Sequence, residues 1–192
     1  MTSSILDKIV EWDKEIFLSL NSMNAHWMDP FMLIITSHTA WACTAALVIA
    51  FMIFQKHKTG LWASLFLTLS VSINFLVNHI VKIMVLRPRP IHEEAFRDII
   101  HAITEHESSY SFFSAHSSNS FCLAIFSALF LRCKYYTFII SLWATIVAYS
   151  RIYVGKHYPF DVLCGLLFGT LMGIIGYKLF DKFREKKLEP SI

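Results

Sequence analysis

Three clusters of ionisable residues stand out from an otherwise apolar chain. Lys82 and Arg89 lie in KIMVLRPRP, Ser114 and His116 in FSAHSSNS, and Arg151, His157 and Asp161 in SRIYVGKHYPFD. Their types suit one task. Lys82, Arg89 and Arg151 supply three positive charges. An arginine fork matches two phosphate oxygens at once, and lysine adds a point charge. Ser114 to His116 opens a helical run, whose free N–H groups and positive dipole end would face an anion. His157 and Asp161 are four residues apart and share a face if the helix has begun by then. The carboxylate would keep one imidazole nitrogen protonated and leave the other to attack. Pro159 suits the first helical turn, and His116 is the candidate acid for the leaving oxygen. Nothing in this set needs a metal or another cofactor. Taken singly, each piece has a plain reading: a stiff basic turn, a capped helix start, a structural His–Asp pair. Their joint occurrence at the ends of apolar runs points to phosphate chemistry.

The elements that must carry these residues are membrane helices. Of 192 residues, 55% are hydrophobic and only 16% charged, and the mean hydropathy is +0.51. Soluble domains carry about 25% charged residues, so lipid is the expected solvent. A net charge of +3 is too small to argue for a nucleic-acid partner. Five apolar runs approach the length of a span, about 20 residues: Phe31 to Phe54, Gly60 to Val81, Ser114 to Leu131, Tyr135 to Ser150, and about Pro159 to Phe180. Ionisable groups at membrane depth are costly and are by default functional. The N-terminal segment differs. Ile5, Leu6, Ile9, Val10, Trp12, Ile16, Phe17 and Leu20 fall mostly on one helical face, with Asp7, Lys8, Glu11, Lys14 and Glu15 mainly opposite. This predicts an amphipathic helix lying on the membrane or on its own protein. No cleavable signal peptide is expected, because the first residues are acidic and amphipathic. Neither repeats nor linkers are visible, so one domain is expected over residues 1–192.

Basic residues after the first, third and fifth runs fall on one side: Lys56 and Lys58; Arg132 and Lys134; Lys178, Lys182, Arg184, Lys186 and Lys187. The positive-inside rule makes that side cytoplasmic. The three clusters then open together on the opposite face. Cys43, Cys122, Cys133 and Cys164 show no ligand spacing and read as small buried hydrophobes. His92, Glu93, Glu94, His101, His106 and Glu107 crowd the loop 91–113 but match no metal pattern, so a solvated loop that sets specificity is expected. Asn74, Asn78 and His79 precede Lys82 by one to two turns, and interhelical hydrogen bonds are the expected use.

In this order the blocks resemble the signature of the type 2 phosphatidic acid phosphatase (PAP2) superfamily: K-x6-R-P, P-S-G-H and S-R-x5-H-x3-D. Lys82, Arg89 and Pro90 fill the first, and Ser150, Arg151, His157 and Asp161 fill the third. The middle block departs, with Phe113 at the proline and Ala115 at the glycine, while Ser114 and His116 remain. The resemblance implies an all-α membrane bundle of about five spans, with the N-terminal amphipathic helix in place of a sixth. It implies that His157 forms a phosphohistidine, Asp161 orients it, and His116 protonates the departing group. Lys82, Arg89, Arg151 and the Ser114–Ala115 turn would hold phosphate oxygens. The Ala115 methyl is expected to tune the pocket without abolishing activity. The substrate expected is a lipid phosphate in the bilayer: undecaprenyl diphosphate or lipid A foremost, then phosphatidylglycerol phosphate or phosphatidic acid. A bacterial envelope location is expected, with the site outside the cytoplasm. Rival readings are a phosphotransferase with the same residues, a non-catalytic lipid-phosphate binder or transporter, and a metal-dependent membrane oxidase using the loop histidines.

Overall fold

A computed structural model describes residues 5–103 and 109–188. His106 and Glu107 lie outside the described residues, as does the side chain of Leu6. The described chain is helical: α1 (Ile5–Asn21), α2 (Asp29–Ile35), α3 (His38–Val85), α4 (Ala115–Leu131), α5 (Lys134–Tyr153) and α6 (Pro159–Lys187), with short 3-10 turns between.

α3 is two arms folded at His57, whose φ of 43° leaves the helical region. Trp41, Ala45 and Ile49 of the first arm face Leu67, Thr68 and Val71 of the second, so the arms run antiparallel. Gly60 makes the fold possible, since a Cβ there would lie 2.2 Å from the Met52 carbonyl oxygen. The expected first span, Phe31 to Phe54, is corrected at its start. The chain breaks at Thr36–Ser37, leaving Phe31 in α2, and Ser37 caps α3 by accepting from Ala40 N at 3.1 Å. The second arm runs past Val81 to Val85, so Lys82 sits within a helix. Among the described residues, the run from His38 and the helix Pro159–Lys187 are long and apolar enough to cross a membrane by length and composition.

The bundle is apolar outside, and inside it sets buried polar side chains beside a core of large apolar ones such as Phe126, Phe130 and Phe180. Leu47, Phe54, Phe75, Phe138, Leu167 and Leu171 are each more than half exposed, whereas Asn74, Asn78, Ser117, Ser118, Ser120 and Ser127 are buried. Water would disfavour such an exterior, and hydrocarbon suits it. α6 packs hardest on α4, along Gly165, Gly169 and Gly173. A Cβ on Gly169 would lie 2.0 Å from the Ser118 carbonyl oxygen, and one on Gly165 would lie 2.6 Å from that of Ser114. Glycine every fourth residue lets the two backbones touch. Asn78 Nδ2 donates to Phe113 O at 2.7 Å, and Asn74 Nδ2 to Ser118 Oγ at 3.1 Å, so both asparagines tie α3 to α4 as expected. His79 is exposed instead.

α1 packs on its own protein, one of the two placements expected, and polar residues share its buried side. It buries Asp13, Phe17 and Asn21, while Ile5, Ile9, Trp12 and Ile16 are 40–80% exposed. Phe17 packs on Phe96 and Tyr158 at ring-centroid distances of 5.9 and 5.5 Å. Asn21 Nδ2 donates to the carbonyls of Ile152 and Tyr153 at 3.0 and 2.9 Å. It thereby adds a donor to the carbonyls at the end of α5. All four cysteines are free, but only Cys122 is buried; Cys43 and Cys133 face outward, which corrects their expected burial.

Candidate active site

The three clusters meet at one end of the bundle. Arg89, Arg151, His157, Asp161 and Ser114 are at most 2% exposed, and Lys82 and His116 are 7% and 8% exposed.

The turn between α5 and α6 places the imidazole. Gly155 takes φ +77°, a conformation that suits glycine. Gly155 N then donates to Ile152 O at 3.1 Å and Lys156 N to Arg151 O at 3.0 Å, the pairing of a Schellman turn. His157 N also reaches Arg151 O, at 3.2 Å. α6 begins only at Pro159, so His157 lies before the helix. The turn, and not a shared helical face, brings it to Asp161.

His157 is bonded at both nitrogens. Arg89 Nη1 lies 3.1 Å from Nε2. A guanidinium can only donate, so Nε2 carries the lone pair and Nδ1 the hydrogen. Nδ1 lies 3.4 Å from Ser111 Oγ, which donates to Asp161 Oδ2 at 2.5 Å. The Nδ1–Oδ2 distance is 3.7 Å. The expected direct His157–Asp161 hydrogen bond is thus replaced by a path through Ser111. Asp161 Oδ2 also accepts from Tyr158 N at 3.0 Å, which closes the first turn of α6. Burial pushes the His157 imidazole well below its ordinary pKa, and the charges of Arg89, Lys82 and Arg151 push the same way. Both effects favour the neutral ring at pH 7.

Several neutral oxygens among the described residues hold the cations. Lys82 Nζ donates to Tyr110 O at 2.5 Å. Arg89 donates to Ser109 O at 2.7 Å, Ser109 Oγ at 2.8 Å and Lys156 O at 3.0 Å. Arg151 bonds Thr36, the residue that the α2–α3 break delivers. Ser114 is the N-cap of α4 and accepts from Ser117 N at 3.4 Å. Its own N–H donates to Asp161 O at 3.1 Å, and Ser117 Oγ donates to Val162 O at 2.9 Å. The glycine contact thus locks the start of α4 onto the start of α6. His116 follows one residue into α4, with its ring 4.7 Å from that of His38. Among the described residues, its Nε2 is buried without a hydrogen-bond partner. His116 and Ala115 line a cleft of about 160 Å³ with His38, Trp41, Phe75 and Asn119.

Several partners were missed in the sequence. Ser111 and Ser109 looked like ordinary polar loop residues. Arg87 bridges Asp161 and Asp13, each at 2.7 Å, yet Asp13 read as one more charge on an amphipathic helix. The loop carboxylates and imidazoles serve local bonds: Glu93 with Lys14 at 2.9 Å and Tyr158 OH at 3.2 Å, and His101 with Asp29 at 2.8 Å.

Comparisons agree with this geometry. A lipid A 4'-phosphatase of Porphyromonas gingivalis is 29% identical over 192 residues, covering 97% of this chain and 80% of its own. An undecaprenyl-diphosphatase of Bacillus subtilis is 27% identical over 175 residues, covering 88% and 85%. The crystal structure of a transmembrane PAP2-type phosphatidylglycerolphosphate phosphatase from Bacillus subtilis superimposes with a TM-score of 0.74 at 27% identity, covering 94% of this chain and 88% of that one. That likeness supports an integral membrane protein. The PAP2 superfamily profile matches residues 63–185, which span every cluster of the site, and the chain belongs to that superfamily.

Proposed function

We propose that the chain is a membrane lipid phosphatase, which hydrolyses a phosphate monoester or diphosphate of a lipid through a phosphohistidine. One observation carries the reading: a neutral, buried His157 presents its Nε2 lone pair to the Arg89 guanidinium at 3.1 Å. A phosphate seated among Lys82, Arg89 and Arg151, with the N–H groups at the start of α4, would take over the Arg89 N–H and free that lone pair to meet phosphorus. Nε2 attacks phosphorus as the P–O bond to the lipid breaks. The hydrogen on Nδ1 and the Ser111–Asp161 path steady the positive charge that develops on the ring. The departing oxygen takes its proton from His116, which then accepts one from the attacking water. Water breaks the P–N bond, releases inorganic phosphate and restores His157. The Ala115 methyl lies on the cleft beside His116. It would shape the leaving-group side while leaving the charged groups in place.

The envelope reading follows the charges. About five spans, α3 counting as two, form one domain over residues 1–192, with α1 on the surface. The basic ends at Lys56–Lys58, Arg132–Lys134 and Lys178–Lys187 face the cytoplasm, and the site faces the periplasm or exterior of a bacterial inner membrane. Lipid A and undecaprenyl diphosphate lead as substrates, because both present phosphate on that side. The test is phosphate release by purified protein in detergent with EDTA. The panel would be lipid A, undecaprenyl diphosphate, phosphatidylglycerol phosphate and phosphatidic acid. Release from one lipid, lost in His157→Ala, is the expected result. Phosphate that appears only with an acceptor lipid would indicate a transferase instead. No phosphate transfer at all by folded protein would overturn the reading.

A further inference from the structure

The two arginines of Arg87-Pro88-Arg89-Pro90 are used in opposite ways. Arg89 points to the imidazole and, among the described residues, donates to the oxygens of Ser109 and Lys156. Arg87 is turned behind the carboxylate. Its Nη1 donates to Asp161 Oδ1 and its Nη2 to Asp13 Oδ2, both at 2.7 Å. The guanidinium lies 4.1 Å from the centroid of the Tyr158 ring. Burial works against its charge, but the Asp161 and Asp13 carboxylates outweigh this and hold it above the ordinary arginine pKa. The main chain of Arg87 acts too, because Ser111 N donates to Arg87 O at 2.8 Å. One residue therefore holds Asp161 from both sides: Oδ1 through its guanidinium and Oδ2 through the serine that its carbonyl fixes. Asp13 completes the strut, since its second oxygen accepts from Phe160 N at 2.8 Å in the first turn of α6.

We propose that Arg87 and Asp13 are positioning residues for the hydrolysis, a strut by which the N-terminal helix sets the carboxylate that steadies the His157 ring. The inference rests on the phosphatase reading above. Neither side chain needs to touch substrate. Arg87 acts through Asp161 and Ser111, and Asp13 acts through Arg87. The strut also sets the field at the imidazole. His157 is faced by Lys82 and Arg89 from the end of α3 and the turn after it, His116 from α4, Arg151 from α5 and Asp161 from α6. Arg87 adds a cation and Asp13 an anion just behind that carboxylate.

The experiment uses the full chain in detergent and follows phosphate release against pH for the wild type, Arg87→Gln, Arg87→Lys, Asp13→Asn and the double variant Asp13→Asn/Arg87→Gln. In Arg87→Gln, kcat falls about a hundredfold, the scale of a small misplacement of a catalytic group, with KM unchanged. Losing a cation makes His157 easier to protonate, so the acid limb of kcat/KM moves to higher pH. Asp13→Asn loses an anion, so its acid limb moves to lower pH, with a smaller fall in kcat. Arg87→Lys keeps the charge, recovers part of kcat and leaves the limb in place. In the double variant Asp13→Asn adds no further loss of kcat to that of Arg87→Gln, because its effect on turnover runs through that arginine. Wild-type kcat in a folded Arg87→Gln, or losses in kcat that add in the double variant, overturns the inference. If Arg87→Gln does not fold, an unmoved acid limb in Asp13→Asn overturns it. A wild type that releases no phosphate overturns this inference and the phosphatase reading together; an active wild type with indifferent variants overturns this inference alone.

Discussion

His157 and His116 are buried imidazoles at the same end of one bundle, yet their surroundings treat them differently. His157 is bonded at both nitrogens, to Arg89 on one side and Ser111 on the other. His116 has a buried Nε2 with no partner among the described residues, on the wall of a cleft. A buried polar atom left in this state costs stability, and such costs are tolerated where a ligand completes the bond. The contrast matches the two jobs proposed for them. A nucleophile at His157 would be oriented before substrate arrives, and an acid at His116 would be satisfied only when a leaving oxygen stands in the cleft.

That division can be broken experimentally. His157→Gln should have the largest effect, a loss of at least roughly a thousandfold in kcat on every substrate, if His157 is the proposed nucleophile. His116→Gln should cost on the order of a hundredfold to a thousandfold on a lipid alkoxide. With an aryl phosphate, whose phenolate leaves without a proton, most of that loss should vanish, while the His157→Gln loss should not. Equal losses for both variants on both substrates would erase the distinction.

Smaller effects sharpen it. Gly169→Ala places a methyl 2.0 Å from the Ser118 carbonyl oxygen. It should cost about 1–3 kcal/mol, as overpacking does, read as a lower Tm in detergent. Ser111→Ala should lower kcat about tenfold, the worth of a good hydrogen bond, with KM unchanged. The acid limb of kcat/KM should lie below the ordinary histidine pKa of 6.5, because burial and then Arg89 and Lys82 depress His157. The sign follows from the neutral ring being the nucleophile: activity persists through mildly acidic pH and falls only as pH drops through that lowered value. A limb at or above 6.5 would mean that the cations do not act on this ring as described.

Much of the site was legible because charge in an apolar sequence is conspicuous. Lys82, Arg89, Arg151, His157 and Asp161 declared themselves by standing where hydrocarbon was expected, and Ser114–His116 by opening an apolar run. Arg87 and Asp13 were hidden for the opposite reason: each sat among other charges and had a sufficient local excuse. Ser111 was hidden because a serine in a polar loop carries no periodic signal. α1 was recognised as amphipathic, but its docking face was not, because Asp13 and Asn21 are buried for bonds to partners 74 and 131 residues away. The break at Thr36–Ser37 carries neither glycine nor proline at the pivot, so local chemistry did not announce it, whereas the polar stretch between Phe54 and Gly60 marked the fold at His57. The spacing of Gly165, Gly169 and Gly173 was there to be read, and it marks the tightest helix contact in the site.

That contact has a mechanical consequence. Two backbones in direct touch have no side-chain layer to compress, so α4 and α6 cannot slide without steric clash and cannot spread without losing close contact. Together they form a rigid anvil, with His116 on α4 and His157 in the turn that enters α6. Give in the structure must come from the α3 hairpin, whose arms are separated by an apolar crevice of about 160 Å³. Bulk and curvature of a lipid tail would be accommodated there, beside the cleft that shares Trp41 with His116. Mutations in the hairpin away from His38 and Lys82 would then retune which lipid is admitted.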